Sequence, residues 1–377
     1  MSMDKKVIHT VFEQLVERHP SRMAIESADD TVTYQHLNGF ANRLAHLLER
    51  AGCSKGNIVN VVASSSIELV GAMLGIFKAG CIYLPVDLSF SEKRLRQIFR
   101  ETNDGMVIVT REHYEFFLHL SRKLEIKIDR LLVVGEHRDF TLFGMAGGKQ
   151  DRIFVEPMLQ WEQNPNNAVS GEDSNYIFYT SGSTGEGKPI LGAHASLSHF
   201  IHWEIKEFGL DEYARVSQLT QVTFDASLRD ILVPLICGGT LCIPSKDTRT
   251  SPSGLLKWLE TSRISLVHCV PSLFRLLTKE LLLDEALRYD LSKLEYILMA
   301  GESLYAKDII SWWKIAGQHI KLVNLYGATE ATLIKVFYRI DTVSDNPSQP
   351  IPVGGPIGNT SIAIIRDAQA CQIGEIG

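Results

Sequence analysis

The chain has no Cys-x-x-Cys pair: Cys53, Cys81, Cys237, Cys242, Cys269 and Cys371 are scattered along it. That pattern excludes a zinc ribbon or a dithiol redox motif and reads as reduced, packed thiols. No apolar run is long enough to cross a bilayer. The most apolar stretch, Ile231 to Pro244, is broken by Pro234, Gly238 and Gly239. The opening MSMDKKVIHTVFEQL lacks the apolar core and cleavage site of a secretory signal. The expectation is a cytoplasmic protein with no membrane contact. Positive charge is not in excess either. With 38 Lys and Arg against 44 Asp and Glu, the net charge of −6 has the wrong sign for a nucleic-acid binder. Internal repeats and low-complexity tails are absent. A hydrophobic fraction of 45% beside 22% charged residues excludes global disorder. At about 150 residues per domain, 377 residues imply two or three structural units.

What is present alternates between helix and strand. Leu37, Phe40, Ala41, Leu44, Leu47 and Leu48 recur at helical spacing, and Gly52 stands where that helix would stop. Ile58 to Val62 reads as a buried strand, Ile67 to Ala79 as a helix ending at Gly80, and Cys81 to Val86 as a strand. Strand, helix and strand with short links imply a parallel sheet covered by helices. Residues 142–175 lose periodicity and collect Gly, Pro, Asn, Gln and Asp, so a subdomain connection is expected there. Tyr176 to Tyr179 reads as a strand, alternation resumes to about residue 338, and Ile362 to Ile365 reads as a last strand. The final residues look like a hairpin cut short, as in a truncated chain.

The strongest local signal is Tyr179-Thr180-Ser181-Gly182-Ser183-Thr184-Gly185-Glu186-Gly187-Lys188-Pro189. Glycines let backbone N–H groups approach an anion, hydroxyls donate further hydrogen bonds, and lysine adds charge. Gly182 to Lys188 also fits the P-loop spacing, but Pro189 stands where a magnesium-binding Ser or Thr belongs. A P-loop must open a helix, which Pro189 and Gly192 oppose. A P-loop nucleotide-binding protein is therefore the weaker alternative.

The Thr-Ser-Gly-Ser-Thr-Gly-x-x-Lys loop resembles that of the adenylate-forming superfamily, in particular the amino-acid adenylation domains of nonribosomal peptide synthetases. Other signatures follow in order: Val32-Thr33-Tyr34 with Leu37, Lys78 to Asp87, Phe224-Asp225-Ala226-Ser227, Ala300-Gly301-Glu302-Ser303, Asn324 to Glu330, and Gly355-Pro356-Ile357-Gly358-Asn359. The likeness runs from about residue 8 to the end. It departs from the family pattern around Lys188, which Gly187 precedes and Pro189 follows, and at Ala328, where the family carries proline. The implied fold class is α/β: the N-terminal core of that superfamily, with two helix-flanked β-sheet subdomains, a small distorted β-barrel and no C-terminal lid. The whole of 1–377 is then one adenylation core. Its phosphate loop is at 180–189, its substrate pocket at 224–334 and a β-rich part at about 340–377.

The resemblance implies ATP and Mg2+ as cofactors and attack of a carboxylate on the α-phosphorus, with pyrophosphate released. Such catalysis rests on positioning and electrostatics. By resemblance Thr180, Lys188, Thr329 and Glu330 are catalytic, with Glu330 also the metal ligand. Ser181, Gly182, Ser183, Thr184, Gly185, Gly301, Glu302, Ser303, Asn324, Tyr326 and Gly327 bind the nucleotide, Tyr326 lying flat on adenine. The substrate pocket maps to Phe224, Asp225, Ala226, Arg229, His268, Leu298, Ala300, Leu325, Leu333 and Ile334. His36 and His46 sit in helical patterns and carry no assigned chemistry.

Asp225 matches the family's partner for a substrate ammonium, although aspartate is also a common cap for a following turn. Asp225 and Arg229 stand at i, i+4, so a helix through both would put them on one face. A buried guanidinium needs an anion. That anion is either internal, from Asp225 or Asp230, or a second carboxylate on the substrate bound by Arg229 and His268. The latter makes the substrate Asp, methyl-Asp or Glu. A neutral aliphatic or aromatic amino acid, an acyl- or aryl-CoA synthetase, and a binding fragment of low turnover are the other readings. Expected partners are a peptidyl carrier domain with its phosphopantetheine and an MbtH-like helper, on a monomeric chain without nucleic acid.

Overall fold

The computed structural model describes residues 7–371 apart from 103–104, 136, 146–150, 156–160, 181–186, 284–288 and 367–368. It divides into two compact units, Met1–His268 with Arg288–Leu294, and Cys269–Leu287 with Glu295–Gly377.

The first unit contains an eight-stranded sheet. At its centre Ile82–Pro85, Ile58–Val62, Met106–Thr110 and Arg130–Val134 run parallel. Phe140–Gly144 and Asp151–Val155 add antiparallel strands on one side. Ser174–Thr180 and then the edge strand Lys188–Ala193 continue the other. A second group places Met23–Ser27 and Arg215–Ser217 on either side of Thr240–Ile243, all parallel. Arg215–Ser217 continues parallel into Leu266–Cys269.

The helices form where the apolar spacing asks for them. Thr33 caps Tyr34–Arg50 by accepting from the His36 N–H, and Ser66 caps Ile67–Lys78 by accepting from Leu69 N–H. These two helices approach closely because Gly71 has no side chain: a Cβ there would lie 1.9 Å from the Phe40 ring. Gly80 ends the second helix at φ +69°, a conformation that glycine adopts without strain. Tyr34 is buried and its hydroxyl donates to the Gly239 carbonyl at 2.9 Å, so this early signature serves packing.

Residues 142–175 do not separate the two units. They carry the end of Phe140–Gly144, the strand Asp151–Val155 and the start of Ser174–Thr180, all in one sheet. Phe140 and Leu142 point into the core between more exposed neighbours, the alternation of a strand with one open face. The polar composition beside them hid it.

In the second unit Lys321–Gly327 runs parallel to Tyr296–Met299 and antiparallel to Ile334–Arg339. The helices Pro271–Leu283 and Ala306–Ala316 pack through Phe274 and Trp312, ring centroids 5.0 Å apart. Beyond residue 340 the described strands are short: Gly355–Pro356, Ile365–Arg366 and Gln369–Ala370. The strand expected at Ile362 to Ile365 is seen only as Ile365–Arg366, with Ile365 opposite Ala370 and the Ile364 carbonyl accepting from Cys371 N–H at 2.8 Å.

All six thiols are reduced. Burial pushes Cys237 and Cys242 up to about 12, so both stay protonated. Among the described residues no helix is long and apolar enough to cross a membrane.

Candidate functional site

Strands Ser174–Thr180 and Lys188–Ala193 form an antiparallel hairpin in which Thr180 and Lys188 are directly opposed. The hairpin thus brackets the glycine-rich loop at its two ends. Ser181, Gly182, Ser183, Thr184 and Gly185 lie outside the described residues. The chain after Lys188 is a strand, so the loop does not open a helix as a P-loop must. Helix Glu92–Glu101 grips both arms. Arg94 donates to the Tyr179 carbonyl at 3.1 Å, Gln97 to the Gly187 carbonyl at 3.1 Å, and the Tyr179 hydroxyl to Glu101 at 2.9 Å. Burial, then Glu101, raises the Tyr179 pKa, so that phenol keeps its proton. Lys188 is exposed.

Asp225 lies in a turn ahead of helix Ser227–Cys237, not in the helix. Phe224 N–H bonds to Gln221, Ser227 N–H to Phe224 and Leu228 N–H to the Asp225 carbonyl. The helical i, i+4 face expected for Asp225 and Arg229 therefore starts two residues too early, because the turn closes with i+3 bonds. Phe224 is 59% exposed, while Asp225 and Ala226 are half-buried.

Arg229 is 3% exposed and its Nε lies 3.9 Å from Asp230 Oδ1. Its Nε and Nη1 have no hydrogen-bond acceptor. His268 is wholly buried, with Nε2 bonded to Glu204 Oε1 at 2.8 Å and Nδ1 3.1 Å from Asp230 Oδ1, off the line of a hydrogen bond. Both ring nitrogens face protein carboxylates, which leaves His268 no nitrogen for a substrate carboxylate. The expectation of direct ligation by His268 is corrected accordingly. Glu204 escaped the sequence reading. Its signal was a glutamate on the apolar stripe formed by Leu197, Phe200, Ile201 and Phe208.

In the second unit Gly301 turns the chain at φ +91° after strand Tyr296–Met299. Glu302 accepts from Ser272 N–H at 3.0 Å and Ser272 Oγ at 2.7 Å, so its carboxylate pins the turn. Ser303 is exposed, and its carbonyl accepts from Arg275. Asn324 gives its amide to the Pro352 carbonyl at 2.9 Å and the Ile351 carbonyl at 3.3 Å. Tyr326, near the end of strand Lys321–Gly327, shows 60% of its surface. Gly327 is passed by the Leu333 carbonyl, 2.0 Å from where a Cβ would stand. Thr329 is half-buried and Glu330 exposed, in the short 3-10 turn Thr329–Ala331. Leu298, Leu325, Leu333 and Ile334 are buried apolar side chains of this unit, and Ala300 is half-buried. Thr332 and Leu333 are held at φ +63° and +60°, a strained pair for residues with side chains.

The described residues contain no cluster of three or more His, Cys, Asp or Glu able to hold a metal. Glu330 has no ion-pair partner among them, which suits a carboxylate left for a hard cation that also takes phosphate oxygens.

A family model described as AMP-binding enzyme matches residues 12–377. A mycosubtilin synthase subunit from Bacillus subtilis is 28% identical over 99% of this chain and 13% of its own length. Syringomycin synthase SyrB1 of Pseudomonas syringae is 28% identical over 96% of this chain and 55% of its own. The chain thus spans only part of the curated relatives it matches. Among solved structures, the nonribosomal peptide synthetase FmoA3 in its alpha-methyl-L-serine-AMP bound form superposes with TM-score 0.80 at 23% identity, covering 98% of this chain and 38% of that one. The Klebsiella oxytoca NpsA N-terminal subdomain, bound to 3-hydroxybenzoyl-AMSN, superposes with TM-score 0.75 at 22% identity, covering 98% and 84%. Those likenesses show the α/β fold of an adenylate-forming N-terminal core. With a family model matched from residue 12 to the last residue, this chain belongs to the AMP-binding enzymes.

Proposed function

We propose that the chain activates an amino acid as its adenylate. A substrate carboxylate oxygen attacks the α-phosphorus of ATP, the bond to the β-phosphate oxygen breaks, and pyrophosphate leaves. The thiol of a carrier domain's phosphopantetheine then attacks the adenylate carbonyl, takes the acyl group and releases AMP, with an MbtH-like helper as a further partner. The observation that carries the amino-acid reading is the Asp225 carboxylate, half-buried in the turn that precedes the helix of Arg229. The motif Phe224-Asp225-Ala226-Ser227 resembles the family's, whose aspartate pairs with a substrate ammonium.

Thr180 and Lys188 stand at the two ends of the phosphate loop, where a hydroxyl and an ammonium can hold phosphate oxygens. The exposed ring of Tyr326 offers a face for adenine. Thr329 donates toward the α-phosphate, and Glu330 would hold Mg2+. That ion, when bound, neutralises phosphate charge.

For the side chain, the two partnerless donors of Arg229 support an acidic substrate: Asp, methyl-Asp or Glu. A second reading, a neutral amino acid, is favoured by the internal carboxylates Glu204 and Asp230, which already balance His268 and Arg229. Isothermal titration with aminoacyl-sulfamoyl adenosines of Asp, Glu, Leu and Phe separates the two. The acidic reading expects Asp or Glu to bind tightest, and Arg229→Ala to weaken that binding by about tenfold or more. Preference for Leu or Phe replaces it with the neutral reading. Failure of all four would remove the amino-acid assignment.

A further inference from the structure

Helix His194–Phe208 turns a charged residue into the core: Glu204 is 0% exposed on its buried stripe. A carboxylate there without a partner would lose its hydration with nothing to replace it. Its partner is His268, 64 residues away in sequence. From His268 the contacts continue to Asp230, which divides its oxygens. Oδ1 faces His268 and Arg229, while Oδ2 accepts from the Leu219 N–H at 3.1 Å and the Thr220 N–H at 2.9 Å. Gln218 donates to the Thr220 carbonyl at 2.6 Å. Four segments are thereby joined, and the last of them leads directly into the turn Gln221–Ala226 that carries Asp225.

An imidazole with a carboxylate at each nitrogen is doubly protonated, because a neutral ring would set a lone pair against one of the anions. Burial opposes that charge and Arg229 repels it, yet Glu204 and Asp230 prevail and the pKa of His268 is raised. Two cations and two carboxylates then balance within one buried cluster.

Resting on the reading of Asp225 and Arg229 as amino-acid ligands, we propose that Glu204 and His268 are positioning residues for amino-acid selection. They hold Asp230, and through it Arg229 and the Asp225 turn, without touching the substrate. A sequence-local view of the pocket stops at the residues that line it. The geometry extends selection to a helix residue behind it.

Glu204→Gln, titrated beside the parent chain, tests this. The ligands are adenosine sulfamate, which carries no amino acid, and the four aminoacyl-sulfamoyl adenosines. The variant is expected to bind the parent's preferred aminoacyl ligand about tenfold or more weakly, with adenosine sulfamate within about twofold of the parent. General loosening of the fold would weaken both, so equal losses overturn the proposal, as does an unchanged rank order and affinity. A parent that binds adenosine sulfamate but no aminoacyl ligand overturns the amino-acid reading itself and the inference with it. A parent that discriminates while Glu204→Gln discriminates identically removes only the positioning role. Should the variant fail to fold, histidine side-chain NMR on the unmodified chain decides. A His268 titration midpoint above the ordinary histidine value supports the proposal, and one at or below it overturns it.

Discussion

His194 and His268 are both wholly buried in the first unit, yet they sit on opposite sides of the ordinary histidine pKa. Around His194 stand the rings of His9 and Phe77, at centroid distances of 5.5 and 5.4 Å, and the Asn175 amide at 3.3 Å. Burial therefore pushes it down to about 4, and His9 beside it is lowered as well. Around His268 stand Glu204 and Asp230, and its pKa rises despite equal burial. Loss of water makes the neutral ring the default. An anion at each nitrogen reverses it.

The largest expected effect comes from dismantling the charged side of that pair. Asp230→Ala removes the acceptor of two backbone N–H groups and uncovers His268 and Arg229, so a loss of about 3–5 kcal/mol in urea unfolding is expected. A loss below about 1 kcal/mol would mean the cluster is not energetically coupled.

Next comes pH. The unfolded chain takes up a proton at His194 near 6.5, and the folded chain only near 4. The unfolded state binds more protons in that window. Stability present above pH 6.5 therefore falls as pH drops toward 4, by roughly 3 kcal/mol from this one group. His194→Gln is expected to flatten that acid limb. His268 has the opposite sign: its contribution is complete below about 6.5 and is lost as pH rises through its raised folded value. Stability profiles of His194→Gln and His268→Gln bending the same way would break the comparison.

The smallest effect is expected from Asn175→Ala. It removes the amide that faces the neutral ring at 3.3 Å and should cost about 1 kcal/mol. The state of His268, followed by NMR, should not change.

Much of the first unit was legible because its order is local. Ile58–Val62 has the bounds its β-branched run implied, and Gly52 and Gly80 stop their helices at positive φ. Pro189 and Gly192 told against a helix after the glycine-rich loop, but the edge strand Lys188–Ala193 that pairs back onto Ser174–Thr180 was not read from them. Asp225 was expected on the helix of Arg229 and lies in the turn ahead of it, since i+3 turns and a helical start share the same residue types. Residues 142–175 were misread because a strand with one exposed face carries the polar residues of a linker. The Glu204–His268 contact could not be read from spacing at all. It joins residues 64 positions apart through the folding of the whole unit, and only a glutamate in an apolar helix stripe announced it.

The edge position of strand Lys188–Ala193 has a consequence for solubility. An open sheet edge is a template on which another chain can add a strand. Here the exposed edge begins with a charged lysine and then a proline that has no N–H to offer, two features that discourage such pairing. The residues that end the glycine-rich loop thus set features against edge pairing between copies.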